Sequence, residues 1–394
     1  MAARSIYRFL ASCFVLLIGL SGLIEAQELD GPDRQTVAAV DGKTYRQVVS
    51  KAIQYLENSQ ADNGAFSESL GPAVTAMCTT ALLENGVPRT SPRVQKSLNY
   101  LQGFIQADGG VYAPESNLRN YETSVAVMCF VAANEDGRYD EVIRKAIDFQ
   151  KNIQWDDAEG YNRSSTFYGG QGYGKHKRPD MSNTSFFIDA LKAAGEDSSS
   201  EAVQKAVVFM SRAQNLPSQY NDQEYATHVT RDDRGGFIYT PVGEGETKVQ
   251  IDGGKTPDGG LRSYASMTYA GLKSFLYAGL SKNDIRVQAA KDWIARHYDL
   301  QTNPGMGLQG LYYYYHVFAK ALDANGERTI VDANGNKHNW RADLLNAFQA
   351  RQHANGSWTN EADRWYEGDP NLVTSYCLLA LKYCHPDKDK DQDR

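Results

Sequence analysis

Six times along this 394-residue chain, an amphipathic helical segment closes near a glutamine, passes through a glycine-containing turn and gives way to a second, almost uniformly apolar helical segment. The first kind spans 45–60, 94–106, 141–154, 201–214, 284–301 and 340–352, closing at Gln60, Gln106, Gln154, Gln214, Gln301 and Gln352. In the first of these, Val48, Val49, Ala52, Ile53, Tyr55 and Leu56 fall on one stripe at helical spacing, while Arg46, Lys51 and Glu57 fall outside it. Such a helix has one wet face. The second kind spans 73–86, 122–137, 182–195, 264–279, 313–326 and 372–384, is apolar nearly all round and is rich in Ala, Thr and Ser. That pattern suits helices buried on several sides at close approach. Gly86, Gly137, Gly195, Gly279 and Gly326 follow five of them, where a helix C-cap wants a left-handed residue.

A helix pair of this kind cannot bury its apolar member alone, so the pairs must stack. Six inner helices bury every face by closing into a ring, which predicts an all-α, α6/α6 toroid; an open superhelix of helix pairs is the alternative. The inner helices are expected to begin near Val74, Tyr121, Ser182, Ala265, Tyr313 and Leu372. The sixth, LVTSYCLLALKYC, is too apolar to leave one side in water and should touch the first. This places a single toroid over 41–385, preceded by a linker at 27–40 and followed by a charged tail at 386–394. Three insertions interrupt the repeat, at 155–178, 216–257 and 323–338. The first two precede inner helices and should roof one mouth of the toroid. The third reads as a hairpin turning at Asn334-Gly335 and belongs at the opposite end.

At the start of the chain, Arg4 and Arg8 precede an apolar run from Phe9 to Ile24 and a small residue, Ala26, before Gln27. Residues 1–26 therefore read as a secretory signal peptide, with export to a periplasmic or extracellular space; a retained anchor is the alternative. No other segment is suited to cross a bilayer. With 41 basic against 48 acidic residues, a nucleic-acid partner is not expected. Beyond the leader, Cys78, Cys129, Cys377 and Cys384 sit inside apolar helical patterns without C-x-x-C spacing, which reads as buried thiols, with no metal site and no cofactor.

The turns between helices read QADNGAF, QADGGVY, DDAEGYN, PDGGL, NPGMGL and QHANGSW. A glutamine, an Asp-Gly or Asn-Gly turn and an aromatic at this period resemble the prenyltransferase and squalene oxidase repeat of the squalene cyclase and protein prenyltransferase superfamily. The resemblance covers about residues 41 to 385. It implies the toroid, and it implies that chemistry belongs at the first turn of the inner helices. The cyclases of that family carry an Asp-x-Asp-Asp-Thr acid motif there, which protonates an alkene. Asp180-Met181-Ser182-Asn183-Thr184 keeps the first acid and the threonine but has Ser182 and Asn183 where the adjacent acids belong. Without a second carboxyl, the shared-proton arrangement that makes a strong acid is gone. The prenyltransferase zinc site is missing as well: Asp258-Gly259-Gly260 offers no cysteine, so His316 lacks co-ligands.

An aromatic and polar mouth remains. Asp180 and Glu122 are the candidate catalytic residues, with helix capping as the structural reading of Asp180. Tyr264, Tyr313, Tyr314, His316, Trp365 and Tyr366 are the candidate ligand-binding residues, the four successive tyrosines alternatively serving as a plug. The leading expectation is an exported squalene cyclase-like toroid that binds an apolar, isoprenoid-like ligand. One alternative is a non-catalytic scaffold for another exported protein. Another is a carbohydrate-active toroid enzyme, whose two carboxyls should face one another roughly 5 to 10 Å apart across a groove. An apolar cavity favours the first, a filled barrel the second and an open acidic groove the third.

Overall fold

The computed structural model describes residues 37–174 and 178–390. The leader, and the export signal read in it, lie outside the described residues. The helices run in chain order α1 (Gly42–Ser59), α2 (Pro72–Glu84), α3 (Pro92–Gln102), α4 (Arg119–Ala133), α5 (Asp140–Asn152), α6 (Met181–Ala193) and α7 (Glu201–Arg212). A single turn α8 (Glu224–Thr227) lies in the second insertion. Next come α9 (Ala265–Tyr277), α10 (Ile285–Arg296), α11 (Leu311–Asn325), α12 (Trp340–Arg351), α13 (Pro370–Leu381) and a terminal turn α14 (Pro386–Lys390). Among the described residues the only sheet is a hairpin of β1 (Thr329–Val331) and β2 (Lys337–Asn339).

The uniformly apolar segments form the inner ring. α2 packs on α4, α4 on α6, α6 on α9, α9 on α11, α11 on α13 and α13 back on α2. The ring is closed, and the open superhelix is excluded. In α13 every residue from Asn371 to Leu381 is buried, as its pattern requires of a helix with neighbours on all sides. The amphipathic helices lie outside, and each of α3, α5, α7 and α10 packs on the inner helix that precedes it. By that rule α13 has no outer helix after it, and α1 fills the place, packing on α13 from the other end of the chain. Chain termini thus supply the two halves of one helix pair.

The repeated glutamines explain the pitch between pairs. Gln60 Nε2 donates to Gly64 O at 3.3 Å within its own turn and to Arg93 O at 2.8 Å at the start of the next outer helix. Gln154 repeats this with Gly169 O and Ala202 O, both at 2.9 Å, and Gln214 does so with Gly235 O at 2.9 Å and Arg286 O at 2.8 Å. Gln352 closes the set with Gly356 O and Val48 O, both at 3.0 Å, so the sixth turn grips α1. Gln106 and Gln301 differ: the first bonds Tyr112 O at 2.7 Å inside its own turn, and the second accepts from Arg351 at 3.1 Å. Gly356 has φ +93°, and a Cβ there would overlap the Lys51 carbonyl of α1, so only glycine lets the sixth turn approach so closely.

The first two insertions reach the end of the toroid where the inner helices begin, through Tyr173 and through Tyr239 and Lys248. The hairpin leaves the C-terminal end of α11, turns through Gly335 at φ +85° and docks by the Ala333 N–H on Ala295 O at 2.9 Å.

Candidate functional site

At the mouth, the inner helices begin with one shared device. Thr75, Thr123, Thr184, Thr268 and Thr374 each sit in the first turn of an inner helix, and each Oγ1 accepts the backbone N–H of a residue in the preceding turn. The donors are Phe66 at 2.9 Å, Val111 at 3.1 Å, Gln171 at 3.0 Å, Phe237 at 3.1 Å and Trp358 at 3.3 Å. All five threonines are buried, so each bond satisfies a donor that water does not reach. In α11 the place is taken by Tyr314, whose hydroxyl donates to Asp299 O at 2.7 Å. Thr184 is therefore one copy of a scaffold device.

Asp180 has one counterpart among the inner helices, Asp369, whose Oδ1 accepts the Leu372 N–H at 2.8 Å at the start of α13. Asp180 caps α6, with Oδ1 accepting the Asn183 N–H and Oδ2 the Asn183 side-chain amide, both at 2.9 Å. Burial pushes the Asp180 carboxyl up to about 6, against the lowering effects of Asn183 and the Tyr239 hydroxyl. A helix N-terminus favours the ionised form of a carboxyl; at 2% exposure, desolvation outweighs it.

Behind Asn183 and Tyr239 opens a cavity of about 190 Å³, with apolar surface dominating its walls. Its floor is a chain of rings: Tyr121 edge-on to Phe186 at 4.9 Å, Phe186 tilted by 30° against Tyr313 at 6.1 Å, and Tyr313 edge-on to Tyr376 at 6.0 Å. Ser182 Oγ lies 3.3 Å from the Tyr313 hydroxyl. Tyr173 and Tyr239 come from the insertions, and the Lys248 ammonium sits 4.2 Å from the Tyr239 ring centroid, where it pairs with Glu246. Burial, then the neighbouring Arg178, lower the Lys248 amine.

The rim is Trp365 and Tyr366, 42% and 65% exposed, both in the left-handed region at φ +62° and +65°. Two such residues in succession cost roughly 1–3 kcal/mol each and persist only where the surroundings hold them. The restraint here is Glu367. Its Oε1 accepts the Tyr313 N–H at 2.7 Å, capping α11 from a distant loop, and its Oε2 accepts Asn360 Nδ2 at 2.6 Å. Burial raises this carboxyl to about 7, against Asn360 and the N–H groups of α11.

Of the residues singled out from sequence, Tyr264, Tyr313, Trp365 and Tyr366 line this cavity, and Asp180 stands behind its wall. Glu122 turns away from it. Its Oε2 accepts the Ala113 N–H at 3.0 Å, bracing the loop before α4. Tyr314 is also not at the mouth: it is fully buried between layers, its ring 5.5 Å from Tyr269 and 5.8 Å from Phe318. The tyrosine run divides because successive helical positions point 100° apart, so only Tyr313 faces the axis. His316 belongs to another cavity, of about 210 Å³, on the far side of Phe186. No cluster able to hold a metal ion occurs among the described residues, and the four described cysteines are buried thiols. Sequence reasoning missed Glu367, Tyr173, Tyr239, Lys248, Phe186 and Tyr376. For Glu367 the signal was its position beside the aromatic pair already chosen.

The squalene-hopene cyclase C-terminal domain family matches residues 61–231. Over that stretch the chain is similar to that family, and the closed double ring is an α/α toroid of the squalene cyclase-like kind. Solved structures with the same fold include a D-mannose isomerase, at 11% identity and TM-score 0.53 over 87% of this chain and 98% of that one. A polysaccharide lyase follows at 11% identity and TM-score 0.51 over 86% and 97%. A type II terpene cyclase from Scytonema, in complex with geranylgeranyl dihydroxybenzoate, shares 13% identity at TM-score 0.35 over 87% and 97%. No curated protein matches the toroid. No helix of its described residues is long and apolar enough to cross a membrane.

Proposed function

We propose that this toroid binds an apolar, isoprenoid-like ligand in its mouth cavity and does not protonate it. The observation that carries the reading is the cavity wall, a floor of aromatic rings in contact beneath a rim of Trp365 and Tyr366. Such faces hold an extended hydrocarbon by contact area and stabilise it through dispersion. A lone carboxyl at about 6, bonded to an asparagine, is orders of magnitude too weak to protonate an alkene.

A carbohydrate-active toroid is the second reading, favoured by two carboxyls of raised pKa beside one cavity. Against it, both oxygens of Asp180 are bonded to Asn183, and those of Glu367, which lines the cavity, to the Tyr313 N–H and Asn360, so both carboxyls are engaged in capping inner helices. We also propose that residues 1–26 direct export and that the mature chain begins near Gln27.

Binding is tested with farnesol and squalene by calorimetry, and with lipid mass spectrometry on protein from its native envelope. Tyr313→Ala and Phe186→Ala should each weaken binding about ten-fold or more, consistent with roughly 1.5–3 kcal/mol for a buried aromatic contact. Incubation with squalene should give no cyclic product. Cyclised triterpene from wild type, lost in Asp180→Asn, would restore the cyclase. Saturable oligosaccharide binding with none of farnesol would favour the second reading. N-terminal sequencing of exported material that still contains Phe9 to Ile24 would overturn cleavage.

A further inference from the structure

Below Phe186, towards the C-terminal ends of the inner helices, the second cavity has two unlike walls. Met77, Val125, Met128 and Leu379 make one side apolar. The other side presents His316 and Lys320, one helical turn apart on α11.

The charges behind that polar wall do not balance. Asp189 is shared by two lysines, Lys273 Nζ at 2.7 Å from Oδ1 and Lys320 Nζ at 2.6 Å from Oδ2, with side chains 1%, 9% and 3% exposed for Lys273, Lys320 and Asp189. Lys273 also donates to Ser185 Oγ at 2.7 Å. Closer to solvent, Lys382 pairs with Glu84 at 2.7 Å. Three buried or half-buried ammonium groups therefore face two carboxylates, leaving one positive charge inside, while the exposed Lys192 adds another at the edge of the cavity. One lysine would have sufficed to neutralise Asp189. The second is a cost to the fold unless something compensates it, because an unpaired buried charge is expensive. Burial, only partly countered by Asp189 and deepened by Lys320, holds the Lys273 amine down at about 8, as an under-compensated cluster would. Burial, then Lys320, keep His316 well below its ordinary value, so its ring is neutral. His316 Nδ1 is buried and has no hydrogen-bond partner among the described residues.

We propose that this cavity is a binding site for a monoanionic amphiphile, a carboxylate on a short apolar chain, with the head held by Lys320 and His316 and the chain laid against the Met77, Val125 and Met128 wall. One negative charge is what the buried cluster lacks, and the apolar wall gives a bare inorganic anion nothing to contact.

The test is calorimetric titration of the intact protein with sodium octanoate, 1-octanol and inorganic phosphate. Octanoate should saturate a single site, and phosphate should not displace it. Lys320→Met, which leaves Asp189 paired with Lys273, should weaken octanoate at least ten-fold while 1-octanol binding holds. His316→Phe leaves the ion cluster untouched and should also weaken octanoate selectively, which keeps the test alive if Lys320→Met fails to fold by circular dichroism. Ala132→Phe, filling the cavity from its rim, should abolish octanoate binding. Octanoate affinity unchanged in both Lys320→Met and His316→Phe, octanoate lost only with Tyr313→Ala at the mouth, or no saturable binding at all would each overturn the proposal. Tight binding of phosphate in place of octanoate would do so as well.

Discussion

Asp180 and Glu367 each bring a carboxyl into a place where burial disfavours its charge, and that has a signature in stability against pH. A carboxyl whose folded pKa lies above its unfolded value stabilises the fold while it is protonated, and the contribution is lost as pH rises through the folded value. For Asp180, raised from 3.8 to about 6, the window is pH 4 to 6; for Glu367, raised from 4.5 to about 7, it is pH 4.5 to 7. Asp180→Asn should therefore gain on wild type as pH rises from 4 to 7, by roughly 1–3 kcal/mol in urea melts, one pKa unit being about 1.4 kcal/mol. Loss relative to wild type over that range would mean that the helix cap, not burial, dominates. Thr184→Val tests the scaffold reading of the acid motif. It strands the Gln171 N–H without an acceptor in a buried turn and should cost about 1–3 kcal/mol with farnesol binding unchanged. Capping by Asp180 was legible in the sequence because a cap is a local contact. Capping of α11 by Glu367 was not, since it depends on two left-handed residues that carry the carboxylate to a helix more than fifty positions earlier.

Between elements, the joints are the turn glycines and the four glutamines, Gln60, Gln154, Gln214 and Gln352, that reach the next outer helix. Gly356 and Gly86 make a controlled pair: both have positive φ, at +93° and +90°, but a Cβ at Gly356 overlaps the Lys51 carbonyl while one at Gly86 meets nothing within 4 Å. Gly86→Ala should cost only the left-handed strain, about 1–2 kcal/mol. Gly356→Ala should cost clearly more, and amide hydrogen exchange in α1 should quicken ahead of global unfolding. Equal losses at the two sites, with α1 protection unchanged, would show that the sixth turn does not hold α1. The glutamines were visible in the sequence as a punctuation of the repeat. Their bond to the following outer helix was not, because it spans two helices whose spacing only the packed ring defines.

At the scale of the molecule, α1 and α13 join the first described helix to the last inner one, so closure and stability are coupled. A chain beginning at residue 61 should expose the flank of α13 that α1 covers. It should elute as aggregate on size exclusion with loss of helical circular dichroism. A chain beginning at residue 37 should stay folded and elute free of aggregate. A folded monomer without α1 would mean that the other helix pairs are stable as an open array.

The sequence by itself determined the all-α class, the number of helix pairs, which helices face inward and which end of the toroid carries the first two insertions. These follow from hydrophobic period and turn chemistry, properties of ten to twenty consecutive residues. The tertiary structure alone decided that α1 partners α13, that of the four tyrosines in a row only Tyr313 reaches the axis, and that Asp189 answers to two lysines from two other helices. Those outcomes depend on the angle at which each helix meets the ring and on the dielectric at its centre. Neither is a property of any stretch of chain until all six inner helices are in contact.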